Sequence, residues 1–331
     1  MNGVLTVTTR RSVLTRSMAA LAASLLPRAA FAQAFPSRPI KVIVPFPAGG
    51  PADSAVRIAQ AGMEKALGQP LVVENVAGAA GQVGAMRVKQ AEPDGYTLLQ
   101  AASPHTTNAA VKPDAYVDLL RDFAPIGPMA TFDFVLFVKK DSPYKTVKDV
   151  IEAAKANPDK FNFGSIAVGT AQNLSMLKFV SMAGLNVPVV AHRTTGDVMT
   201  GLLSGTIQAA METIPGAIGQ IKDGQMRAIA VSSTERNPFL PDVPTVAESG
   251  VPGYRTYSWN GMVAPAKTPP AVIARLNKLI NGAIATQDIQ QRFRDLIMVP
   301  RTGTPEDLQK IYSEDVAVWR QIITEAKIQP N

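Results

Sequence analysis

Short apolar, β-branched runs alternate along this chain with segments whose apolar residues recur three and four positions apart. The first run holds Ile40, Val42, Ile43 and Val44 between two prolines, and it predicts a buried strand over 41–45. Pro45, Pro47, Gly49, Gly50 and Pro51 then force a tight turn. Beyond it Val56, Ile58, Ala59, Met63 and Leu67 predict a helix over 54–67, with Asp53 as its N-cap. The same reading places strands at 71–74, 97–101, 124–129, 134–138, 162–165, 189–191, 209–211 and 229–231. Helices are expected at 81–90, 146–156, 170–183, 196–203, 214–223, 269–285 and 305–325. This alternation argues for α/β architecture with mainly parallel sheets. Near 130–133 the run APIGPMA gives way to FVLFV and a fresh series of strand–helix units, which a Pro/Gly-rich passage at 238–253 closes. Two lobes with two crossings follow: 33–131 plus 258–331 form lobe 1, and 132–257 form lobe 2. The gap between two such lobes is the expected ligand site.

The N-terminus changes the picture. Thr9-Arg10-Arg11-Ser12-Val13-Leu14-Thr15 matches a twin-arginine signal, an apolar stretch from Met18 to Leu26 follows, and Ala30-Phe31-Ala32 supplies small residues before a cleavage site. Residues 1–32 therefore read as a cleaved export signal, with the mature chain starting at Gln33 in the periplasm. The stretch is too short, and too broken by Ser24 and Pro27, to span a bilayer. The signal carries four arginines, and without them 29 basic residues stand against 26 acidic ones, a net charge of +3. That balance suits small anions and is too weak for nucleic acid. With 0 cysteines, disulfides, thiolate metal sites and a cysteine nucleophile are excluded. His105 and His192 show no metal-ligand spacing, and neither a metal nor a cofactor is expected. The sequence has no G-x-S-x-G elbow and no H-E-x-x-H, so an enzyme is not indicated.

The turn at 45–53 is a candidate anion cradle, because a strand end, a glycine turn and a helix start aim backbone N–H groups and a helix dipole at one point. The turn FGSIAVGT at 163–170 repeats that logic, with Thr170 able to cap the next helix or to donate its hydroxyl to an anion. A lone glycine turn more often merely connects strand to helix. Two of them, one per lobe in an exported chain, favour a carboxylate bridging the lobes as they close.

The strings PFPAGGPAD, VENVAGAAGQVGA, AEPDGYTLL, FNFGSIAVGTAQNL, LPDVPTVAESGVPGY and WNGMVAPAKTPPAVIARLN occur together and in order. On them the chain resembles the solute-binding receptors of tripartite tricarboxylate transporters, the Bug family named for Bordetella uptake genes, over essentially the whole mature length. The resemblance implies a type II periplasmic-binding-protein fold, two α/β lobes with a ligand cleft between them, and no catalytic activity. It implies a monomer that captures a small carboxylate and delivers it to membrane permease subunits. A di- or tricarboxylate, an acidic amino acid and an aromatic carboxylate all remain open. An extracytoplasmic sensor for a two-component system is the alternative, and an enzyme on the same scaffold comes behind it.

Carried onto this chain, the resemblance assigns the first carboxylate-holding turn to Phe46, Pro47, Ala48, Gly49, Gly50 and Asp53. The second is Ser165, Ala167, Val168, Gly169 and Thr170. Like charges repel, so Asp53 is expected to orient the turn rather than touch the anion. Where many relatives carry Tyr-Lys-Gly, this chain has His192-Arg193-Thr194, and Arg193 could bind a second carboxylate with His192 beside it. Asn173 stands where many relatives have histidine. Glu212 stands where aspartate is common and could receive an amine or hydroxyl. Ser103 and His105 complete the candidates, although they and Glu212 could equally be ordinary loop polar groups. Trp259 reads as a core aromatic.

Overall fold

The computed structural model describes residues 35–111 and 117–325, so the expected export signal lies outside the described residues. The elements begin with β1 (Ile40–Val44), α1 (Pro51–Leu67), β2 (Leu71–Asn75), α2 (Gln82–Lys89), β3 (Thr97–Ala102), α3 (Ser103–Val111) and α4 (Leu119–Asp122). The chain continues with β4 (Phe123–Lys139), α5 (Val147–Ala156), β5 (Phe163–Ile166), α6 (Ala171–Met182), β6 (Val189–His192) and α7 (Thr195–Ser204). It closes with β7 (Ala209–Thr213), α8 (Ile214–Lys222), β8 (Met226–Val231), β9 (Tyr257–Pro265), α9 (Pro270–Ile284), α10 (Gln287–Asp295), β10 (Val299–Pro300) and α11 (Pro305–Glu325).

The strands lie in the order β2-β1-β3-β9-β4-β7-β5-β6, with β8 and β10 also paired to β4. Among the named strands, parallel pairing joins β1 with β2 and β3, and β5 with β6 and β7. The long strands β4 and β9 run antiparallel to their neighbours. Two α/β lobes thus share β4, whose first part pairs with β9 and whose second part pairs with β7 and β8.

Several sequence expectations are corrected here. The two strands expected at 124–129 and 134–138 are one strand of 17 residues. Proline cannot donate to a ladder, and β4 absorbs this with register shifts between Pro125 and Gly127 and between Pro128 and Ala130. Strand β9 was not expected at all, because YSWNGMVAP lacks the alternation of a half-buried strand. It is buried almost throughout, with both faces covered. Helices α3, α4 and α10 and strand β10 were also unforeseen. Asp53 is not the N-cap of α1: Gly50 holds that position, Pro51 opens the helix, and Asp53 lies in the first turn. Elsewhere the capping chemistry is as the side chains dictate, with reciprocal capping boxes at Thr146–Asp149 and Thr194–Asp197.

Each lobe has its own core. Ile43, Val88, Leu99, Trp259 and Tyr312 pack in the first, while Phe134, Phe161, Phe163, Phe179 and Tyr254 pack in the second. Helix α11 contributes to both, placing Leu308, Ile311 and Tyr312 in the first core and Trp319 and Ile322 in the second. The last helix is therefore a strap across the two lobes. At its middle Asp315 is buried and accepts from Thr106 Oγ1 of α3 at 2.6 Å and from Trp259 Nε1 of β9 at 2.9 Å.

Burial lifts the Asp315 carboxyl to about 6, against the downward pull of those donors. The folded chain therefore binds more protons than the unfolded chain between the ordinary carboxylate pKa of 3.8 and about 6. Stability should fall as pH rises through that window and level off above it. Asp315→Asn keeps an acceptor for both donors and removes the titration. Melting curves across this range are expected to be flatter for the variant, and parallel curves would contradict the assignment.

Candidate functional site

A cavity of about 690 Å³ opens between the lobes. One wall is the β1–α1 turn, from Phe46 to Ala52 and Ser54. The floor comes from the two long strands, through Phe132 of β4 and Ser258 and Asn260 of β9. The opposite wall carries Gln172 of α6, Thr195 of α7, Glu212 of β7 and Gly216 of α8. A rim from α10 towards β10 adds Asp295, Leu296, Ile297 and Met298.

Five helix N-termini meet this cavity. Gly50, Pro51 and Ala52 belong to the start of α1, Pro104 to α3, Ala171 to α6, Thr195 to α7, and Pro215 to α8. Each helix start carries roughly half a positive charge and N–H groups with no intrahelical partner, while the carboxylates of Glu212 and Asp295 in the same lining oppose that field. No lysine, arginine or histidine lines the cavity among the described residues. The positive potential is supplied by backbone.

The first turn is held from behind. Gly49 takes φ +81, a left-handed conformation that favours glycine, and its N–H donates to Asp53 Oδ2 at 2.9 Å. Arg57 Nε and Asn75 Nδ2 also donate to the Asp53 carboxylate, and Asn75 Nδ2 reaches Phe46 O at 3.1 Å. Burial alone would raise the Asp53 pKa; the bonds from Arg57, Gly49 and Asn75 outweigh it and bring the carboxyl below the usual range. Asp53 is thus a charged, buried hub that fixes the turn. Pro51 brings no N–H, which leaves Ala52 and Asp53 as the first-turn donors of α1.

The second turn copies this device with a neutral side chain. Gly169 also takes φ +81, and its N–H donates to Asn173 Oδ1 at 3.2 Å, four residues on, as Gly49 does to Asp53. Asn173 Nδ2 in turn donates to the buried Ser165 Oγ at 2.9 Å. The Thr170 hydroxyl donates to Ala167 O at 2.8 Å while its oxygen caps α6. Its proton is engaged within the turn.

Glu212 is buried in the opposite wall. Its Oε1 accepts from Gln172 Nε2 at 2.9 Å and from its neighbour's Thr213 N–H at 2.7 Å. Its Oε2 accepts from Thr195 Oγ1 at 2.8 Å. On the floor Asn260 Oδ1 accepts from Gln100 Nε2 at 2.7 Å, whereas the buried Asn260 Nδ2 has no partner among the described residues.

Of the residues singled out by sequence, Phe46, Pro47, Ala48, Gly49, Gly50 and Glu212 line the cavity. Asp53, Ser103 and His105 lie buried behind that lining. Ser103 Oγ accepts from Ser258 Oγ and Trp259 N, while His105 packs edge-on to Phe46 at 5.7 Å. Burial lowers the His105 pKa to about 4, so its ring is neutral near pH 7. Ser165, Ala167, Val168, Gly169, Thr170 and Asn173 do not line the cavity; they form the approach to α6, and Val168 is 62% exposed. His192 and Arg193 are also outside the lining, with the His192 ring against Gly201 of α7 and Arg193 exposed to solvent.

Sequence reasoning did not single out Thr195, Thr213, Pro215, Asn260 or the rim at 295–298. Two of these left a signal. Thr213-Ile214-Pro215-Gly216 is a cap followed by a helix-opening proline after a strand, and Asn260 is a lone amide inside an apolar run. The rim left none: Ile297 adopts φ +59, an uncommon conformation for a β-branched residue, and wedges into the core with Val135 and Val198.

Comparison with known proteins gives the same picture. The family model described as tripartite tricarboxylate transporter family receptor matches residues 55–328. A protein of Pseudomonas sp. strain P51, described as a UPF0065 protein in the tcbD-tcbE intergenic region, is 34% identical over 92% of this chain and 91% of its own. MatC from Rhodopseudomonas palustris, solved with bound malate, superposes with a TM-score of 0.74 at 30% identity, covering 87% of this chain and 100% of that one. The periplasmic binding protein BugD superposes with a TM-score of 0.75 at 31% identity, covering 89% of this chain and 99% of that one.

Proposed function

This chain belongs to the tripartite tricarboxylate transporter receptor family, and from that membership we propose that it is a periplasmic receptor capturing a small carboxylate between its lobes. The observation that carries this reading is the start of α1 at the β1–α1 turn, joined by the start of α3, on a cavity without a cationic side chain among the described residues. Such a wall holds a carboxylate by N–H groups and dipoles.

Capture follows a closing mechanism. The β1–α1 turn holds one face of the carboxylate. Residues 165–170, which approach α6 from the other lobe, swing in as the lobes 33–131 plus 258–331 and 132–257 rotate about β4 and β9. The bound state is favoured only because both walls then touch the ligand. Export through the cleaved segment at 1–32 puts the receptor in the periplasm, where it hands its ligand to the permease subunits of a tripartite transporter.

Calorimetry and melting curves with matched acids and primary amides test this reading. An acid at 100 times its dissociation constant is expected to stabilise the fold by about 2.7 kcal/mol, with its amide inert. Small-angle scattering should show a smaller radius of gyration on binding. Amides that bind as well as acids would refute carboxylate capture.

A further inference from the structure

Glu212 is the feature that the capture of a carboxylate leaves unexplained. It is 1% exposed, yet it lines the cavity and forms no ion pair among the described residues. A carboxylate offers about four lone-pair sites. Three are filled by neutral donors: Gln172 Nε2 and Thr213 N–H on Oε1, and Thr195 Oγ1 on Oε2. The second site on Oε2 is left to whatever occupies the cavity.

The three donors also fix where that oxygen stands. They come from the starts of α6, α7 and α8, so Glu212 already occupies the place where those helices would otherwise attract an anion. A second ligand carboxylate arriving there would meet like charge in a buried setting, which is strongly unfavourable. Arg193, the side chain that could have neutralised it, is exposed and outside the lining. The opposite wall has the reverse character, with the first-turn N–H groups of α1 seeking an acceptor. The rest of the lining includes the apolar Phe46, Phe132, Ile218, Ile297 and Met298, with Asp295 on the rim.

We propose that the ligand is a monocarboxylate with an apolar body whose far end donates a hydrogen bond to Glu212 Oε2 through an ammonium or hydroxyl group, and that Glu212 excludes dicarboxylates of the same length. This rests on the carboxylate-capture reading and narrows it. The receptor solved with malate holds a dicarboxylate, so the proposal separates this chain from that relative.

The test uses acids matched in length and differing only at the far end, titrated calorimetrically into the mature-length chain. Adipate is set against 6-aminohexanoate, 6-hydroxyhexanoate and hexanoate, and succinate against 4-aminobutanoate and 4-hydroxybutanoate. In at least one length series a donor-ended acid is expected to bind about tenfold or more tighter than the dicarboxylate, and also tighter than hexanoate in the six-carbon set. The relative affinities of the ammonium and hydroxyl forms identify the donor. Glu212→Gln is expected to bring acid and diacid within about threefold of each other. If that variant does not fold, the wild-type ranking alone decides. A diacid that binds as tightly as its donor-ended partner in both series, or a ratio unchanged by Glu212→Gln, would overturn the proposal and leave carboxylate capture standing. Heat from none of these acids would overturn the proposal.

Discussion

Trp259→Ala is expected to lower folding stability by about 3–5 kcal/mol, the usual cost of emptying a buried tryptophan site. Trp259 is 1% exposed, and its ring fills the first core beside Leu99, Val263 and Tyr312. Its Nε1 donates to Asp315 on the strap helix, so the truncation also removes one donor from that buried carboxyl. The consequence reaches the site. Side chains alternate along a strand, so Trp259 points to the core while Ser258 and Asn260 line the cavity. Loss of the anchor should therefore blur the floor and weaken ligand binding even where the fold survives. Trp259→Phe separates the two contributions, because it keeps most of the volume and drops the bond to Asp315, for about 1–2 kcal/mol. Denaturant midpoints on both variants measure this. A cost for Trp259→Ala below about 1.5 kcal/mol would mean that β9 is not the anchored crossing described above.

Where elements carried a local signal, the sequence was enough. The β1–α1 and β5–α6 turns announce themselves because proline, glycine and β-branched residues each permit few backbone conformations, and Thr146 and Thr194 announce helix starts through their hydroxyls. What stayed hidden depended on tertiary surroundings. Strand β9 is buried on both faces, which erases the alternation that marks a strand, and Pro125 and Pro128 read as a break until bulges are seen to absorb them. Asp53 looked like a cap because its residue type caps, whereas Pro51 can open a helix and moves the start upstream. The candidate site divides in the same way. The first turn and Glu212 were readable as chemistry at strand ends, and both line the cavity. Asn260 is the contrasting case: only its burial without a partner for Nδ2 marks it, and burial is not written in one sequence.

Gly50→Trp is expected to lower ligand affinity by about 100-fold or more while leaving stability within about 1 kcal/mol. The obvious positions for such a block, Gly49 and Gly169, are poor ones. Both take φ +81, so any side chain there strains the backbone, and a binding loss could follow from a distorted turn. Gly50 takes φ −76 and ψ 171, an extended conformation open to any residue, and a Cβ there meets nothing nearer than Pro47 O at 3.5 Å. Because Gly50 lines the cavity at the start of α1, an indole has room to enter the space where the carboxylate would rest. Gly50→Ser supplies the control. Serine is a better N-cap than glycine by a few tenths of a kcal/mol and is small enough to leave the cradle open, so stability should hold or rise and affinity should be kept. Calorimetry with the tightest acid, alongside melting curves, reads both effects. A Gly50→Trp variant that folds normally and still binds at the parent affinity would remove the β1–α1 turn from the site and with it the dipole argument for carboxylate capture, because Glu212 already takes up the helix starts of the other lobe.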